Sequence, residues 1–312
     1  DGHHELKKSS SQADLLMLLR PHHVDSLVNS AGAVLDGFCG ETPSSYESLK
    51  GALTPILGNQ WQLHERLTRI KWSAPLTPDA GNIRGAQGNK VESIVSALKV
   101  DVNAVPPTAT DSYGFGKQVA RMAQLAVVAE AVGAQDLALL AQQNVKDALE
   151  PWLEGSSQNT LVYDRTYGGV VTSDGLANKE SDFGNGWYND HHFHYGYIVY
   201  AAAVAARGDP AWAREWNSRS MMRVRDIAGP LPDEKSVKDA ARQLQPVADP
   251  LFPTARHKDW YDGHSWASGL TAQGNGKGQE SSAEACNAYY AVALYGLATG
   301  SAALHDYGRV LL

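Results

Sequence analysis

Two separated stretches of this 312-residue chain combine carboxylates with aromatic, histidine and glycine residues. The first stretch covers residues 182–197, and the second covers residues 258–269 and 279–290. Sugar hydrolysis needs such groups, because one carboxyl protonates the leaving oxygen, a second carboxyl activates water, and aromatic rings pack against pyranose faces. The residue types in these stretches therefore indicate a cleft that binds or cleaves carbohydrate.

Asp190 is the strongest candidate for a general acid in the first stretch. Neighbouring rings such as Trp187 and Tyr195 would exclude water and raise the pKa of its carboxyl. Asp190 also stands at the predicted start of a helix, where helix capping is the competing interpretation. His194 follows four residues later, so we expect it on the same helical face. It could orient Asp190, contact substrate, or be an ordinary core histidine.

Glu280 and Glu284 form a second carboxylate pair, again four residues apart on a predicted helix that is rich in alanine and tyrosine. One glutamate could act as general base while the other holds the water or a sugar hydroxyl. A solvated acidic helix edge is the competing interpretation, since like charges at this spacing are mildly unfavourable. The aromatic residues of the same stretches, among them Trp266, could line a cleft or belong to the core.

Composition narrows the classes of partner. The chain has a net charge of −7 and a pI near 5.9, which argues against nucleic acid, because phosphate binding needs clustered Lys and Arg. No apolar run approaches the ~20 residues of a membrane span, so we expect no membrane partner. Two cysteines, Cys39 and Cys286, say little about the redox compartment.

Paired histidines raise the question of a metal site. They occur at residues 3–4, 22–23 and 191–192, with Asp25 and Asp190 close in sequence. No His-Glu-x-x-His or Cys-x-x-Cys motif is present, so we expect neither a metal nor a cofactor. A metal-dependent hydrolase built on the histidine pairs is kept as a weaker alternative.

Periodicity predicts a mainly α fold. Residues 1–104 are mixed in character, with a strand or short helix over 61–70, and residues 105–312 show long Ala/Leu-rich helical patterns. The predicted helices cover residues 91–100, 117–132, 135–153, 190–206, 210–224 and 280–299. We therefore predict a small mixed α/β region over 1–104 and a helical domain over 105–312. Ring-shaped pairing of the helices and an irregular bundle both remain open.

The two stretches closely resemble the signature tracts of glycoside hydrolase family 81, the endo-β-1,3-glucanases. Shorter matches at residues 21–26 and 111–117 follow the family order, so the resemblance covers nearly the whole chain. It implies an (α/α)6 toroid-type barrel preceded by a small α/β region. It also implies inverting endo-hydrolysis of laminarin-type β-1,3-glucan, with no cofactor and no metal.

The resemblance also assigns roles to residues. Asp190 would be the general acid and Glu280 the general base, with Glu284 and His194 assisting. The expected glucan contacts are Asp111, Tyr113, Trp187, His192, Tyr195, His264 and Trp266.

The family pattern extends beyond both ends of this chain. The family has a β-sandwich ahead of the linker and further barrel helices after the second stretch, so we expect a partial barrel here. The main alternative to an enzyme is therefore a non-catalytic β-glucan-binding protein or an inactive fragment. From the substrate we expect an extracellular or cell-wall location, and we expect a monomer.

Overall fold

The computed structural model describes residues 15–28, 33–34, 46–58, 61–72, 88–229 and 251–312. Its contacts divide the chain into two compact units, Asp1–Leu67 and Thr68–Leu312. The boundary between the two units, after Leu67, lies earlier in the chain than the domain boundary that we predicted after residue 104. The units are defined by compactness alone, so the predicted domain boundary stays a prediction. Residues 3–4 and Cys39 lie outside the described residues.

In its described residues, the first unit contains a small antiparallel sheet and one short helix. Strand β1 (Leu15–Leu19) pairs with β4 (Gly51–Gly58), which also pairs with β2 (Ala33–Val34) and β3 (Tyr46–Ser48). Helix α1 (Pro21–Ser26) follows β1. Leu19 and Ile56 are fully buried in this unit. The mixed α/β character of the N-terminal region is thus as predicted.

The strand or short helix predicted for residues 61–70 is wrong. These residues form neither element, apart from a single bridge between Leu63 and Leu27. Most of their side chains are exposed, so the alternating pattern has no buried face to stabilise a strand.

The second unit is built from helices, which confirms the mainly α prediction. The long helices are α2 (Gly88–Asp101), α3 (Ser112–Ala131), α4 (Gln135–Glu154), α7 (His191–Gly208), α8 (Pro210–Ala228), α9 (Ser282–Thr299) and α10 (Ala302–Leu311). Shorter elements are α5 (Ser173–Ala177), α6 (Ser181–Gly184), a 3-10 turn (Asn185–Trp187), and the hairpins β5–β6 (Leu161–Asp164, Gly169–Thr172) and β7–β8 (Lys258–Asp259, His264–Ser265).

Helix α7 is the centre of this unit. Fifteen of its eighteen residues are buried, and it packs against α3, α4, α8 and α9. A helix that is apolar on all sides belongs in a core, which explains its run of small and aromatic residues. At Gly196 a Cβ atom would lie 2.6 Å from Cα and Cβ of Ala288, so glycine lets α7 and α9 approach closely.

Helix ends follow local chemistry. Asp209 ends α7 and caps α8, because its carboxylate accepts hydrogen bonds from the backbone N–H groups of Ala211 and Trp212, with Pro210 in the first turn. Among the described helices, none is both long enough and apolar enough to cross a lipid bilayer.

Candidate active site

The first turns of α3, α7 and α9 meet at one place in the second unit. The imidazole of His194 on α7 lies 2.8 Å from the hydroxyl of Ser112, the first residue of α3. The Tyr113 hydroxyl donates a 2.9 Å hydrogen bond to Oε1 of Glu284 on α9. Tyr197 of α7 donates a second bond, also 2.9 Å, to the same oxygen. The three helix starts therefore bring most of the predicted catalytic residues together.

Asp190 occupies the N-cap position of α7 with its side chain unused for capping. Its backbone φ is +58°, and its carboxyl makes no capping hydrogen bond. The backbone instead holds the residue in place: its N–H donates to the carbonyl of Ala267, and its carbonyl accepts from the N–H groups of Phe193 and His194. The helix-capping alternative for this carboxyl is wrong. Among the described residues the carboxyl has no hydrogen-bond partner, so it is available to a ligand.

The electrostatic surroundings of Asp190 suit a proton donor. Burial raises the pKa of its carboxyl to about 7, and the negative charge of Glu280 adds to the rise. His191 lowers the pKa, and Glu284 raises it to a smaller extent. A carboxyl with a pKa near neutrality holds its proton in a large share of molecules at pH 7, which general acid catalysis requires.

Glu280 lies before α9 and not on it. It is exposed, with a φ of +59°, and the N-cap of α9 is Ser281, whose hydroxyl accepts a 3.2 Å hydrogen bond from the N–H of Glu284. The prediction that Glu280 and Glu284 share a helical face is therefore wrong. Serine is among the preferred N-cap residues, and with Ser281 as the cap the helix begins at Ser282, two residues after Glu280. Asp190 and His194 do not share a helical face either, because α7 begins at His191, after Asp190.

Glu284 is held in a fixed orientation. Tyr113 and Tyr197 donate to the same carboxylate oxygen, and Nζ of Lys117 lies 3.4 Å from the Tyr113 hydroxyl and 5.0 Å from its ring centroid. Burial and the bond to Glu284 raise the pKa values of both tyrosines, so the hydroxyls stay protonated and act as donors. The other oxygen of Glu284 has no hydrogen bond among the described residues.

His194 is buried and tied to Asp182. Its Nδ1 lies 2.8 Å from Oγ of Ser112 and 3.4 Å from Oδ1 of Asp182, whose two oxygens both accept from the backbone N–H of Ser112. Burial would raise the pKa of Asp182, but His194 and the Ser112 bonds together hold that pKa below its usual value. The His194 ring also lies 5.2 Å from the ring of Tyr113. His194 therefore supports the tyrosine that holds Glu284.

A second buried network includes His191, the residue that follows Asp190, and was missed by sequence reasoning. Asp226 is fully buried and accepts from Nδ1 of His191 at 2.6 Å, from Arg256 at 3.0 Å and from the N–H of Val170 at 2.9 Å. Nε2 of His191 faces the carbonyl of Asn185 at 2.9 Å. Both ring nitrogens therefore face oxygen atoms, which fixes the orientation of the imidazole. No local pattern links these residues, because they are far apart in the sequence.

Several of the residues predicted to contact glucan are partly exposed or lie near the site. Asp111 caps α3 through the N–H of Gly114 at 2.6 Å. Nζ of Lys179 lies 4.4 Å above the Trp187 ring. Trp266 donates from its indole N–H to Asp259 at 3.0 Å, and the His264 ring packs edge-on against it.

His192 and Tyr195 are placed differently from expectation. Both are fully buried in α7, with no side-chain surface that a polysaccharide could touch. The Tyr195 hydroxyl donates to the carbonyl of Val170 and accepts from Asn185, which is a structural role. His192 stacks on His257 with ring centroids 4.0 Å apart. Direct glucan contact by either residue is not compatible with this burial.

Backbone strain is concentrated around the site. Among the described residues, the non-glycine positions with positive φ are Asp182, Phe183, Tyr188, Asp190 and Glu280. Each lies in one of the two stretches that the sequence singled out. Left-handed backbone costs about 1–2 kcal/mol for a residue with a Cβ and tends to persist where function requires it.

Among the described residues, no group of three or more His, Cys, Asp or Glu side chains is arranged to hold a metal ion. Cys286, on α9, is exposed and unpaired.

Comparison with known proteins gives one consistent family. Residues 85–312 match the model of the glycosyl hydrolase family 81 C-terminal domain. A solved glycoside hydrolase family 81 structure from Clostridium thermocellum superposes with a TM-score of 0.69 at 27% identity, covering 96% of this chain and 37% of that one. That relative has an α/α toroid fold, in agreement with the prediction.

Curated relatives with similar sequences come from plants, bacteria and fungi. A glucan endo-1,3-β-D-glucosidase of Glycine max is 35% identical over 98% of this chain and 42% of its own length. One of the same name from Acetivibrio thermocellus is 33% identical over 86% of this chain and 32% of its own length. A primary septum glucan endo-1,3-β-D-glucosidase of Schizosaccharomyces pombe is 30% identical over 95% of this chain and 28% of its own length.

The chain thus spans less than half the length of each of these relatives. The match to the family model nevertheless covers most of the chain and includes every residue of the site described above. The chain belongs to glycoside hydrolase family 81.

Proposed function

We propose that this chain carries the catalytic site of an endo-acting hydrolase of β-1,3-glucan. The observation that carries the proposal is the carboxyl of Asp190, which has no hydrogen-bond partner among the described residues and a pKa of about 7 beside the charges of Glu280 and Glu284. The relatives named glucan endo-1,3-β-D-glucosidase supply the substrate class.

The proposed mechanism is a single displacement with inversion. Asp190 gives its proton to the glycosidic oxygen as the bond to the anomeric carbon breaks. A carboxylate takes a proton from water, whose oxygen forms the new bond to that carbon from the opposite face. No covalent intermediate forms, because the second carboxylate acts as a base on water and not as a nucleophile on the sugar.

We assign the base role to Glu280 and a holding role to Glu284. Glu280 is exposed and has no hydrogen bond among the described residues, so both of its oxygens can reach a water molecule. Glu284 accepts two tyrosine hydrogen bonds on one oxygen, and its remaining oxygen can position the water or a sugar hydroxyl. His194 acts as a positioning residue through Ser112 and Tyr113.

We further propose laminarin-type glucan as substrate and an extracellular or cell-wall location. The name of the Schizosaccharomyces pombe relative, which refers to the primary septum, supports this location. The acidic net charge of −7 is compatible with a neutral polysaccharide.

The decisive experiment is digestion of laminarin, with NMR of the anomeric protons of the new reducing ends. Wild type should first release the α-anomer, since inversion converts a β-linkage into an α-product. Asp190→Asn and Glu280→Gln should each lose most of the activity. Asp136→Asn, an exposed carboxylate on α4, is the matched control and should behave as wild type.

Three outcomes would count against parts of the proposal. Initial β-anomer would contradict the inverting mechanism. Laminarin binding without release of oligosaccharides, from folded protein, would replace the enzyme by the non-catalytic glucan-binding alternative. Loss of activity in a chelator would revive a metal-dependent hydrolase.

A further inference from the structure

Phe183 is unusual among the residues near the site. Its φ is +57°, and 62% of the residue is exposed. Phenylalanine is rarely found in left-handed backbone, where glycine, asparagine and aspartate are favoured. The other aromatic residue with positive φ in the described part of the chain, Tyr188, is only 1% exposed, so its packing in the core offsets the strain. Phe183 has no comparable burial.

The phenyl ring lies against two residues of the candidate active site. Its centroid is 5.3 Å from that of Tyr113, with the ring planes at 70°, and 6.1 Å from that of His194, with the planes at 82°. Tyr113 donates the 2.9 Å hydrogen bond to Glu284. Phe183 is thus one side chain removed from a proposed catalytic carboxylate, with most of its surface facing solvent.

Folding stability does not explain a phenylalanine at this position. Apolar burial contributes roughly 25 cal/mol per Å² removed from water, and a ring that stays mostly exposed gains little from it. The left-handed backbone also disfavours phenylalanine relative to glycine, which adopts it freely. A strained, exposed ring beside a catalytic centre suggests that its surface is used by a ligand.

We propose that Phe183 is a sugar-stacking residue that binds one glucosyl unit beside Glu284. A β-linked pyranose presents a face of C–H groups that packs on an aromatic ring, and the contact would bury the ring only when glucan is present. This inference rests on the proposed function, because it requires glucan in the cleft. It adds a substrate contact that the predicted set did not contain.

The test combines affinity, kinetics and stability in variants at this position. Laminari-oligosaccharide affinity is measured by calorimetry in the Asp190→Asn background, and kcat and KM are measured with Asp190 intact. Phe183→Ala should weaken affinity and raise KM on the order of tenfold, with kcat changed much less. Phe183→Tyr keeps the stacking face and should stay close to wild type.

Phe183→Gly separates binding from folding. It removes the ring, so it should lose affinity as the alanine variant does. It also removes the strain of the positive φ, so the variant should unfold at a temperature no lower than wild type. Tyr46→Ala, an exposed aromatic in the first unit, is the control and should leave affinity unchanged.

The failure of this inference is distinct from the failure of the proposed function. If wild type neither binds nor cleaves laminari-oligosaccharides, the proposed function itself fails. If wild type binds them and a folded Phe183→Gly or Phe183→Ala protein binds equally well, the stacking role of Phe183 is overturned.

Discussion

At the scale of single residues, Asp190 shows that chemistry and stability oppose each other. An aspartate in the unfolded chain has a pKa near 3.8, whereas burial and Glu280 raise the pKa of Asp190 in the folded protein to about 7. Between these values the folded state holds a proton that the unfolded state has lost. The free energy of unfolding therefore falls as pH rises from about 4 to 7 on account of this residue.

Asp190→Asn should therefore stabilise the protein at pH 8 while removing its activity. The amide carries no charge to bury, so we expect a gain on the order of 2 kcal/mol in the free energy of unfolding at pH 8. Below about pH 3 the gain should vanish, since the wild-type carboxyl is then largely protonated in both states. Urea unfolding at the two pH values measures it, with Asp136→Asn as control. Equal stability at pH 8 would contradict the raised pKa.

The tyrosine pair that holds Glu284 gives a second prediction at this scale. Tyr113→Phe and Tyr197→Phe each remove one hydrogen bond to a charged group while keeping the ring. Such bonds contribute about 1.5–3 kcal/mol, so we expect each variant to lower kcat at least tenfold. KM should change less if the pair serves to orient the carboxylate. Steady-state kinetics on laminarin, with Tyr46→Phe as the matched variant, measures the split, and unchanged kcat would remove the orienting role.

At the scale of secondary structure, apolar periodicity predicted the long helices well. Helices α3, α4, α7 and α8 begin or end within a few residues of the predicted limits, because their Ala/Leu patterns follow the buried face. Predictions failed where one capping residue decides the start of a helix. Ser281 caps α9 after Glu280, and Asp190 occupies the position before the first residue of α7, so neither i,i+4 pair lies on a helical face.

Hydrogen-bond partners that are far apart in the chain could not be predicted from the sequence. Asp226 was not predicted as a site residue, because its partners His191 and Arg256 are 35 and 30 residues away in the chain. The catalytic candidates themselves came from the resemblance of whole tracts to a family, since residue spacing alone left capping and solvated-edge interpretations open. The geometry around Glu284 could not be predicted at all, because three helices contribute to it.

The contact between α7 and α9 gives a prediction at this scale. Gly196→Ala should destabilise the protein by about 1–3 kcal/mol, since the added Cβ would lie 2.6 Å from the backbone of Ala288. Alanine's better helix propensity, worth about 1 kcal/mol, opposes this loss but does not cancel it.

Thermal unfolding measures the change at Gly196, and Gly274→Ala is the control, because an added Cβ there meets no atom within 4 Å. Since Gly196 adjoins Tyr197, the variant should also lower activity. A stability equal to or above wild type would show that the helices separate without cost.

At the scale of the whole molecule, the core contains two histidines that must stay uncharged. His192 and His257 are buried and stacked, and among the described residues neither nitrogen of His192 nor Nε2 of His257 has a hydrogen-bond partner. Burial lowers the pKa of His257 to about 3 and lowers that of His192 well below its usual value. Below about pH 6.5 these two histidines bind protons in the unfolded chain but not in the folded state, so acid favours unfolding.

His192→Phe should therefore make the protein less sensitive to acid. Each buried neutral histidine contributes a loss of about 1.4 kcal/mol per pH unit as pH falls below 6.5, and the variant removes one such contribution. The free energy of unfolding, measured from pH 7 to pH 4.5, should fall less steeply than in wild type. His64→Asn, at an exposed position, should follow the wild-type slope. Parallel slopes for His192→Phe and wild type would show that His192 takes up a proton without unfolding.

The tyrosine pair that holds Glu284 also has a consequence for the order in which the protein folds. Tyr113 and Glu284 are 171 residues apart in the chain, and Tyr197 and Glu284 are 87 apart. Closing such long loops costs conformational entropy and is therefore slow. Individual helices need no such loop closure and form within microseconds. We therefore expect the candidate active site to be among the last parts to assemble, so during refolding the recovery of activity should trail the return of helical circular dichroism.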